Sequence, residues 1–376
     1  KETKKEFVEY QQHEPLNTKL KTIAFYLPQF HPFPENDEWW GKGFTEWTNV
    51  GRAKPLFKGH YQPKVPADLG YYDLRIPEVR EQQADLAREA GIEGFCYWHY
   101  WFGNGKRLLD RVFREVVETG KPDFPFCLCW ANESWHKKFW NMDGTTDKQI
   151  LAEQVYEDEE GNTKHFYALL DAFKDKRYIR VNGKLLFAIY KPLEFKKIKD
   201  FMDLWNKLAK KEGLNGFYFV GQTYDSPNIN KILGLGMDAC NIIHLWDCFQ
   251  NKWRLVNKID VIYRKLLHRP RITSYKSVIK KMVTKRETDI NVIPTIIPNW
   301  DHTPRSGIGG TVITGSSPKL FAKHVTEVLK VVKNKPAENR LVFLKSWNEW
   351  GEGNYMEPDL TWGNQYLSEL RRLVCK

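Results

Sequence analysis

Short apolar runs alternate along this chain with stretches of helical period. Residues 21–28 (K-T-I-A-F-Y-L-P), 92–98, 125–130, 185–190, 216–220, 237–243, 292–297 and 341–344 are each brief and rich in β-branched or aromatic residues, as buried strands are. Between them apolar residues recur at helical spacing over 76–90, 107–119, 164–174, 195–212, 228–235 and 318–332, with Gly91, Gly120 and Gly213 as stops. Residues 256–286 read as basic helical material. Such alternation, unbroken by Gly/Ser linkers, predicts a parallel α/β sheet. Eight units favour a closed (β/α)8 TIM barrel over an open doubly wound sheet, and neither G-x-G-x-x-G nor a P-loop argues for the open form. The expected organisation is a charged N-terminal extension, 1–20, followed by one barrel domain, 21–376.

Strand after strand ends in aromatic and hydrogen-bonding residues, and a barrel gathers such ends at one mouth. The predicted mouth holds Tyr26 and His31, His99 and Tyr100, Trp130 with Asn132 and Glu133, Tyr190, Gln222, and Trp300 with Asp301. The loop 38–50 (E-W-W-G-K-G-F-T-E-W-T-N-V) is too apolar for a linker and too irregular for a helix. It reads as a wall of the site, with Glu46 and Trp47 as sugar contacts, or as a satellite core under a loop. The strongest stretch is 341–358, L-V-F-L-K-S-W-N-E-W-G-E-G-N-Y-M-E-P. Glu349 and Glu352 lie three apart beside Trp347, Asn348 and Trp350, so a helical turn would bring them side by side. Like charges that close cannot both ionise freely, which sets an acid beside a base. Rings that stack on sugars, with amides and carboxylates, point to a glycan substrate with long strand-to-helix loops as its mouth.

Composition narrows this reading. With 376 residues, 41% of them hydrophobic, the chain can bury a large core, and no apolar run is long enough to span a membrane. The opening K-E-T-K-K-E-F lacks the apolar centre of a signal peptide, so a cytoplasmic location is expected, with export open to a chain whose leader has been removed. The six cysteines mostly sit in apolar runs and read as buried free thiols, which leans towards a reducing compartment. Net charge is +11, with a basic stretch over 252–286. That stretch reads as solvated helix faces, or as peripheral contact with an acidic glycan or anionic membrane leaflet. Nucleic acid is not expected, since no binding motif accompanies the charge. Scattered histidines give no metal site, and no cofactor is expected.

The Y-L-P-Q-F-H-P strand, the G-F-T-E-W-T-N loop, W-A-N-E and S-W-N-E-W-G-E-G together resemble the WbsX family, over nearly the whole chain. That family is glycosyltransferase-like, occurs in lipopolysaccharide O-antigen clusters, and is similar to glycoside hydrolase family 99. The resemblance implies a (β/α)8 endo-acting, retaining α-mannosidase-type site. It implies that Glu349 takes the proton of the substrate 2-hydroxyl, which attacks C1 to give a 1,2-anhydro sugar. Glu352 would then protonate the leaving oxygen and later activate water. Glu46 and Tyr26 are carbohydrate contacts on the same resemblance. Three alternatives stay open: a Glu133–Glu349 acid and nucleophile pair, a glycosyltransferase or transglycosylase, and a non-catalytic glycan-binding barrel.

Overall fold

The computed structural model describes residues 16–140, 146–249, 264 and 266–376. The barrel strands are β1 (Lys21–Tyr26), β2 (Ile92–Gly103), β3 (Phe126–Trp130), β4 (Lys184–Ile189), β5 (Phe217–Thr223), β6 (Ala239–Ile242), β7 (Val292–Ile293 with Thr295–Ile296) and β8 (Leu341–Leu344). All neighbours in the ring run parallel, and β1 pairs with both β2 and β8. Pro294 interrupts β7, since it has no N–H for the ladder. The half before it pairs with β6 and the half after it with β8, which closes the ring. The predicted (β/α)8 barrel is therefore the observed architecture.

Around and above the ring lie α1 (Pro34–Trp40), α2 (Glu46–Arg52), α3 (Pro77–Glu89), α4 (Asp110–Thr119), α5 (Glu159–Tyr167), α6 (Leu170–Lys174), α7 (Ile198–Lys211), α8 (Ile229–Leu233), α9 (Leu245–Phe249), α10 (Thr303–Ser306), α11 (Pro318–Val332) and α12 (Gln365–Val374). In α11, Ser317 caps the first turn by accepting from the Leu320 N–H. Phe321, Val325, Val328 and Val332 form one buried stripe on it. Each such burial stabilises the fold by about 1.5–3 kcal/mol, so an aspartate at Val328 would break this contact.

Several elements depart from the sequence expectations. The loop 38–50 holds the end of α1 and most of α2: Thr45, too polar to look like core, closes a capping box with Thr48 and starts α2. β2 runs on to Gly103, turns back at Asn104 and Gly105, both with positive φ, and pairs with Lys106–Leu108, so α4 starts only at Asp110. Of the basic stretch, 252–263 and 265 lie outside the described residues. The described remainder is not a long helix: Arg271–Ser274 is a strand parallel to Thr311–Thr314, followed by single turns. Residues 1–15 of the expected extension also lie outside the described part. Residues 17–19 are bound to the end of α12, with Lys19 N–H donating to Val374 O at 2.7 Å. All six cysteines are free thiols, and among the described residues no helix is long and apolar enough to cross a membrane.

Candidate active site

Side chains alternate between the two faces of a strand. Phe25 and Phe343 face into the barrel, their rings stacked 5.0 Å apart, and Phe25 also stacks on Trp98 at 4.9 Å. Two residues beyond Phe343, Lys345 faces the same way. It is 3% exposed, and its ammonium sits 5.4 Å from the Trp98 ring centre and 5.8 Å from that of Trp300. The chain then makes the short strand Asn348–Glu349, a 3₁₀ turn over Trp350–Glu352, and returns as Asn354–Tyr355, paired antiparallel with Asn348–Glu349. This turn supplies the predicted juxtaposition, because side chains three apart eclipse in a 3₁₀ helix.

Glu349 is buried, and its Oε2 accepts from Lys345 Nζ at 3.2 Å and Ser346 Oγ at 3.0 Å. Burial, then the charge of Glu352, raises the Glu349 pKa against the pull of Lys345 and Arg305. Burial works against the Lys345 ammonium too, yet Glu349 and Glu352 outweigh it and its pKa is raised. Glu352 Oε1 accepts from Arg305 Nη1 at 2.6 Å, and the same guanidinium gives Nε to Glu46 Oε2 at 3.0 Å. The other Glu352 oxygen, Oε2, is buried without a hydrogen-bond partner. Gly351 has a steric reason to be glycine: a Cβ there would stand 2.1 Å from Glu46 Oε2. Fully ionised, Glu46, Glu349 and Glu352 against Lys345 and Arg305 leave one uncompensated negative charge. One bound proton makes the cluster neutral.

Asp301 anchors the start of α10, the turn that carries Arg305. Oδ1 of Asp301 accepts from the Thr303 N–H and hydroxyl at the start of α10, while Oδ2 accepts from Gln62 Nε2 at 2.7 Å and His60 Nε2 at 2.8 Å. Because His60 Nδ1 accepts from the Leu56 N–H, its proton is on Nε2. The Asp301 N–H in turn donates to Glu352 O at 2.6 Å. Burial works against ionised Asp301, but these bonds prevail and lower its pKa.

Aromatic side chains complete the mouth. Tyr190 packs edge-on to Trp98 and Tyr224, and Tyr100 packs against Trp135. Burial, then the charges of Glu352 and Glu349, pushes up the Tyr224 hydroxyl. Burial and Glu349 do the same to Tyr100. The structure thus brings together Glu46, Tyr100, Tyr190, Trp300, Glu349 and Glu352, with Glu133 nearby in an ion pair to Lys191 at 2.9 Å.

The other predicted contacts are elsewhere. Tyr26, His99 and Trp130 point outward, because they alternate with inward neighbours. Tyr26 donates to Gln83 of α3, His99 pairs with His165 of α5, and Trp130 packs on Phe201 of α7. His31 is buried, bonded through Nδ1 to Pro32 O. Trp47 donates to Tyr72 O and packs on Trp350 and Phe30, the satellite-core arrangement. Trp347 packs on Phe95 outside the ring. Asn348 pairs with both backbone groups of Leu27, and Asn132 does the same for Lys191, so both are struts between loops. Gln222 donates to Asn241 inside the barrel, and Asp301 is the anchor just described rather than a free sugar contact. Sequence reasoning missed Lys345 and Arg305. The first was legible as the next inward position after Phe343, whereas nothing in the sequence near Arg305 links it to carboxylates so far away in the chain.

Buried carboxylates and aromatic rings thus gather at the C-terminal ends of the strands of a (β/α)8 barrel, the face where such barrels carry their sites. A solved structure described as a glycoside hydrolase-like protein superposes with a TM-score of 0.62 at 14% identity, covering 98% of this chain and 97% of its own. The family 99 endo-α-mannosidase of Bacteroides thetaiotaomicron gives 0.53 at 15% identity, covering 94% and 96%. These likenesses establish the fold. By sequence, residues 22–370 match the family model Glycosyltransferase WbsX, and the chain belongs to that family. The uncharacterized protein WxcX of Xanthomonas campestris pv. campestris is 33% identical over 362 residues, 94% of this chain and 49% of the relative. The chain therefore spans about half the length of the curated relatives it matches.

Proposed function

We propose that this chain is a retaining, endo-acting glycoside hydrolase for α-linked, mannose-containing polysaccharide. The observation that carries the proposal is the unequal treatment of two adjacent glutamates. Glu349 has Oε2 held by an ammonium and a hydroxyl, while Glu352 has one oxygen clamped by Arg305 and the other buried and unpartnered. That oxygen is open to a ligand, and when it carries a proton a glycosidic oxygen can accept it. Glu349, its basicity raised by burial and by Glu352, takes the proton of the sugar 2-hydroxyl as O2 attacks C1. Glu352 gives its proton to the departing glycosidic oxygen. The resulting 1,2-anhydro sugar is opened when Glu352 takes a proton from water and Glu349 returns one to O2. Arg305 holds Glu352 in position, and Tyr100, Tyr190, Tyr224 and Trp300 offer ring faces and hydroxyls to the sugar.

A second reading, transfer to an acceptor sugar, is favoured by the family's description as a glycosyltransferase, and O-antigen assembly is the setting we propose for it. It uses the same intermediate with a sugar hydroxyl in place of water. Product analysis on α-mannans and bacterial O-antigen polysaccharides separates the two. Wild type is expected to release reducing oligosaccharides, and Glu352→Gln to slow release by about 10²–10⁴-fold. Elongated products made only when acceptor is added would favour transfer, and full activity in Glu352→Gln would overturn the assignment.

A further inference from the structure

Beside the mouth, the loops after β1, β7 and β8 line an open-sided cavity of about 240 Å³, with Tyr61, Lys64, Asn299, Ser316, Trp362 and Tyr366 among its walls. None of Glu46, Arg305, Glu349 and Glu352 lines it, while Asp301 and Gly353 form part of its wall. Gly353 is at φ 57°, and a Cβ there would press within 2.7 Å of Asp301, so this wall is a close backbone crossing.

The wall is acidic, with Asp301, Glu357 and Asp359, but these groups are already satisfied within the protein. Asp301 takes the bonds given above. Glu357 accepts from Gln83, Tyr72 and Trp350. Asp359 accepts from the Tyr355 hydroxyl and the N–H groups of Thr361 and Trp362. What remains for a ligand is different in kind. Lys64 makes no hydrogen bond or ion pair among the described residues, and its ammonium stands 4.9 Å over the Tyr61 ring. Asn299 Oδ1 is buried with no partner, an acceptor awaiting a donor. Tyr61 is 43% exposed, and Trp362 meets Tyr366 edge-on at 6.4 Å.

Asp301 and Asp359, with Glu357 part-protonated by its burial, outweigh one lysine and repel an anion. A cationic group would meet carboxylate oxygens already engaged by His60, Gln62, Tyr72, Gln83, Trp350 and Tyr355, and would face the Lys64 ammonium. Exposed ring faces with one donor and one acceptor match a molecule that has C–H faces and hydroxyls, but no charge. The volume is below the roughly 300–1,000 Å³ of sites that enclose drug-sized ligands, which fits one ring rather than a chain. We infer that this cavity is a second carbohydrate site, taking a single neutral pyranose unit. The choice of a sugar as ligand rests on the carbohydrate reading of the mouth. The site would hold a distant unit of the polysaccharide behind the Asp301 wall.

The test is titration of the full chain with methyl α-mannoside, methyl α-glucoside and methyl β-galactoside by ligand-observed NMR, with glucuronate as anionic control and crystal soaks to place the sugar. At least one neutral glycoside is expected to bind in the cavity. Lys64→Met and Trp362→Ala should each weaken it about tenfold. The Glu349→Gln/Glu352→Gln double variant should leave it within about twofold, as separated sites do. If Trp362→Ala fails to fold, Lys64→Met carries the test alone. The inference is overturned if no neutral glycoside binds, if glucuronate binds more tightly than all of them, or if affinity survives Lys64→Met unchanged. Loss of binding in the glutamate double variant would place the sugar in the mouth and overturn it equally. Absence of polysaccharide cleavage, with glycoside binding intact, would sink the hydrolase proposal and leave this one standing.

Discussion

Arg305 is the side chain on which the candidate site most depends, and replacing it with methionine tests that dependence. The guanidinium joins Glu46 at 3.0 Å and Glu352 at 2.6 Å, and the three side chains are 23%, 5% and 14% exposed. Opposite charges about 4 Å apart at an effective dielectric near 20 attract by roughly 4 kcal/mol. Removing one partner of a buried pair costs about 3–5 kcal/mol, because it strands the other charge. Arg305→Met strands the Glu46 carboxylate and takes the hydrogen-bond partner of Glu352 in one step, so a loss at the upper end, about 5 kcal/mol, is expected. Urea denaturation of wild type and variant measures it. Adding Glu46→Gln to Arg305→Met removes the stranded charge and should restore about half of the loss. Activity should remain low in the double variant, since Glu352 is still unheld. Arg305→Lys should lie between, because a point ammonium cannot reach both carboxylates as a fork does. If Arg305→Met unfolds within about 1 kcal/mol of wild type, the network is no stronger than a surface ion pair and the reasoning fails.

Four further outcomes follow from the same geometry. Glu133→Gln should keep near-wild-type turnover, as its partner is Lys191 rather than the glutamate pair. A loss as deep as that of Glu349→Gln would instead support the Glu133–Glu349 scheme. Gly351→Ala drives a methyl into Glu46 Oε2; overpacking of about 1–3 kcal/mol and a fall in kcat are expected, and unchanged kinetics would contradict the contact. Asp301→Ala removes the acceptor of His60, Gln62 and Thr303, with about 3 kcal/mol of stability expected to go with it, and a melting curve that does not shift would refute the anchor. Burial raises the Glu357 pKa to about 7 from a usual value of 4.5. The folded state therefore holds that proton more tightly than the unfolded one. Stability from this group is present below about pH 4.5 and is lost as pH rises to about 7, on the order of 3 kcal/mol in all. Urea midpoints across that interval should fall in wild type more than in Glu357→Gln, and parallel slopes would refute the buried-acid reading.

The barrel was legible because its signal is repeated: each strand is a short apolar run, and α11 and β8 appear at the expected residues. The mouth was only half legible. Consecutive residues at a strand end, such as His99 and Tyr100, look equally chemical in sequence, but the pleat sends one into the mouth and the other back to a helix. Tyr26 and Trp130 were lost for the same reason. Glu349 and Glu352 were readable because one short turn makes their proximity local. The Glu46–Arg305–Glu352 bridge is not local, since three loops must meet before it exists. The helices of 38–50 were hidden by aromatic residues, which serve as core there and look like irregular loop.

The interruption of β7 at Pro294 affects how the molecule moves. Each half of that strand is matched to its neighbour over only two residue pairs, whereas β1 and β8 share four. The ring is thus a cylinder with a seam, stitched more lightly there than around the rest of its circumference. The segment that crosses the seam continues directly into Trp300, Asp301 and Arg305. A fluctuation that parts the seam therefore loosens the clamp on Glu352 at once, and amide exchange fast at Ile293 and Ile296 but slow at Phe25 and Phe343 would reveal a candidate site that breathes along one line of its wall.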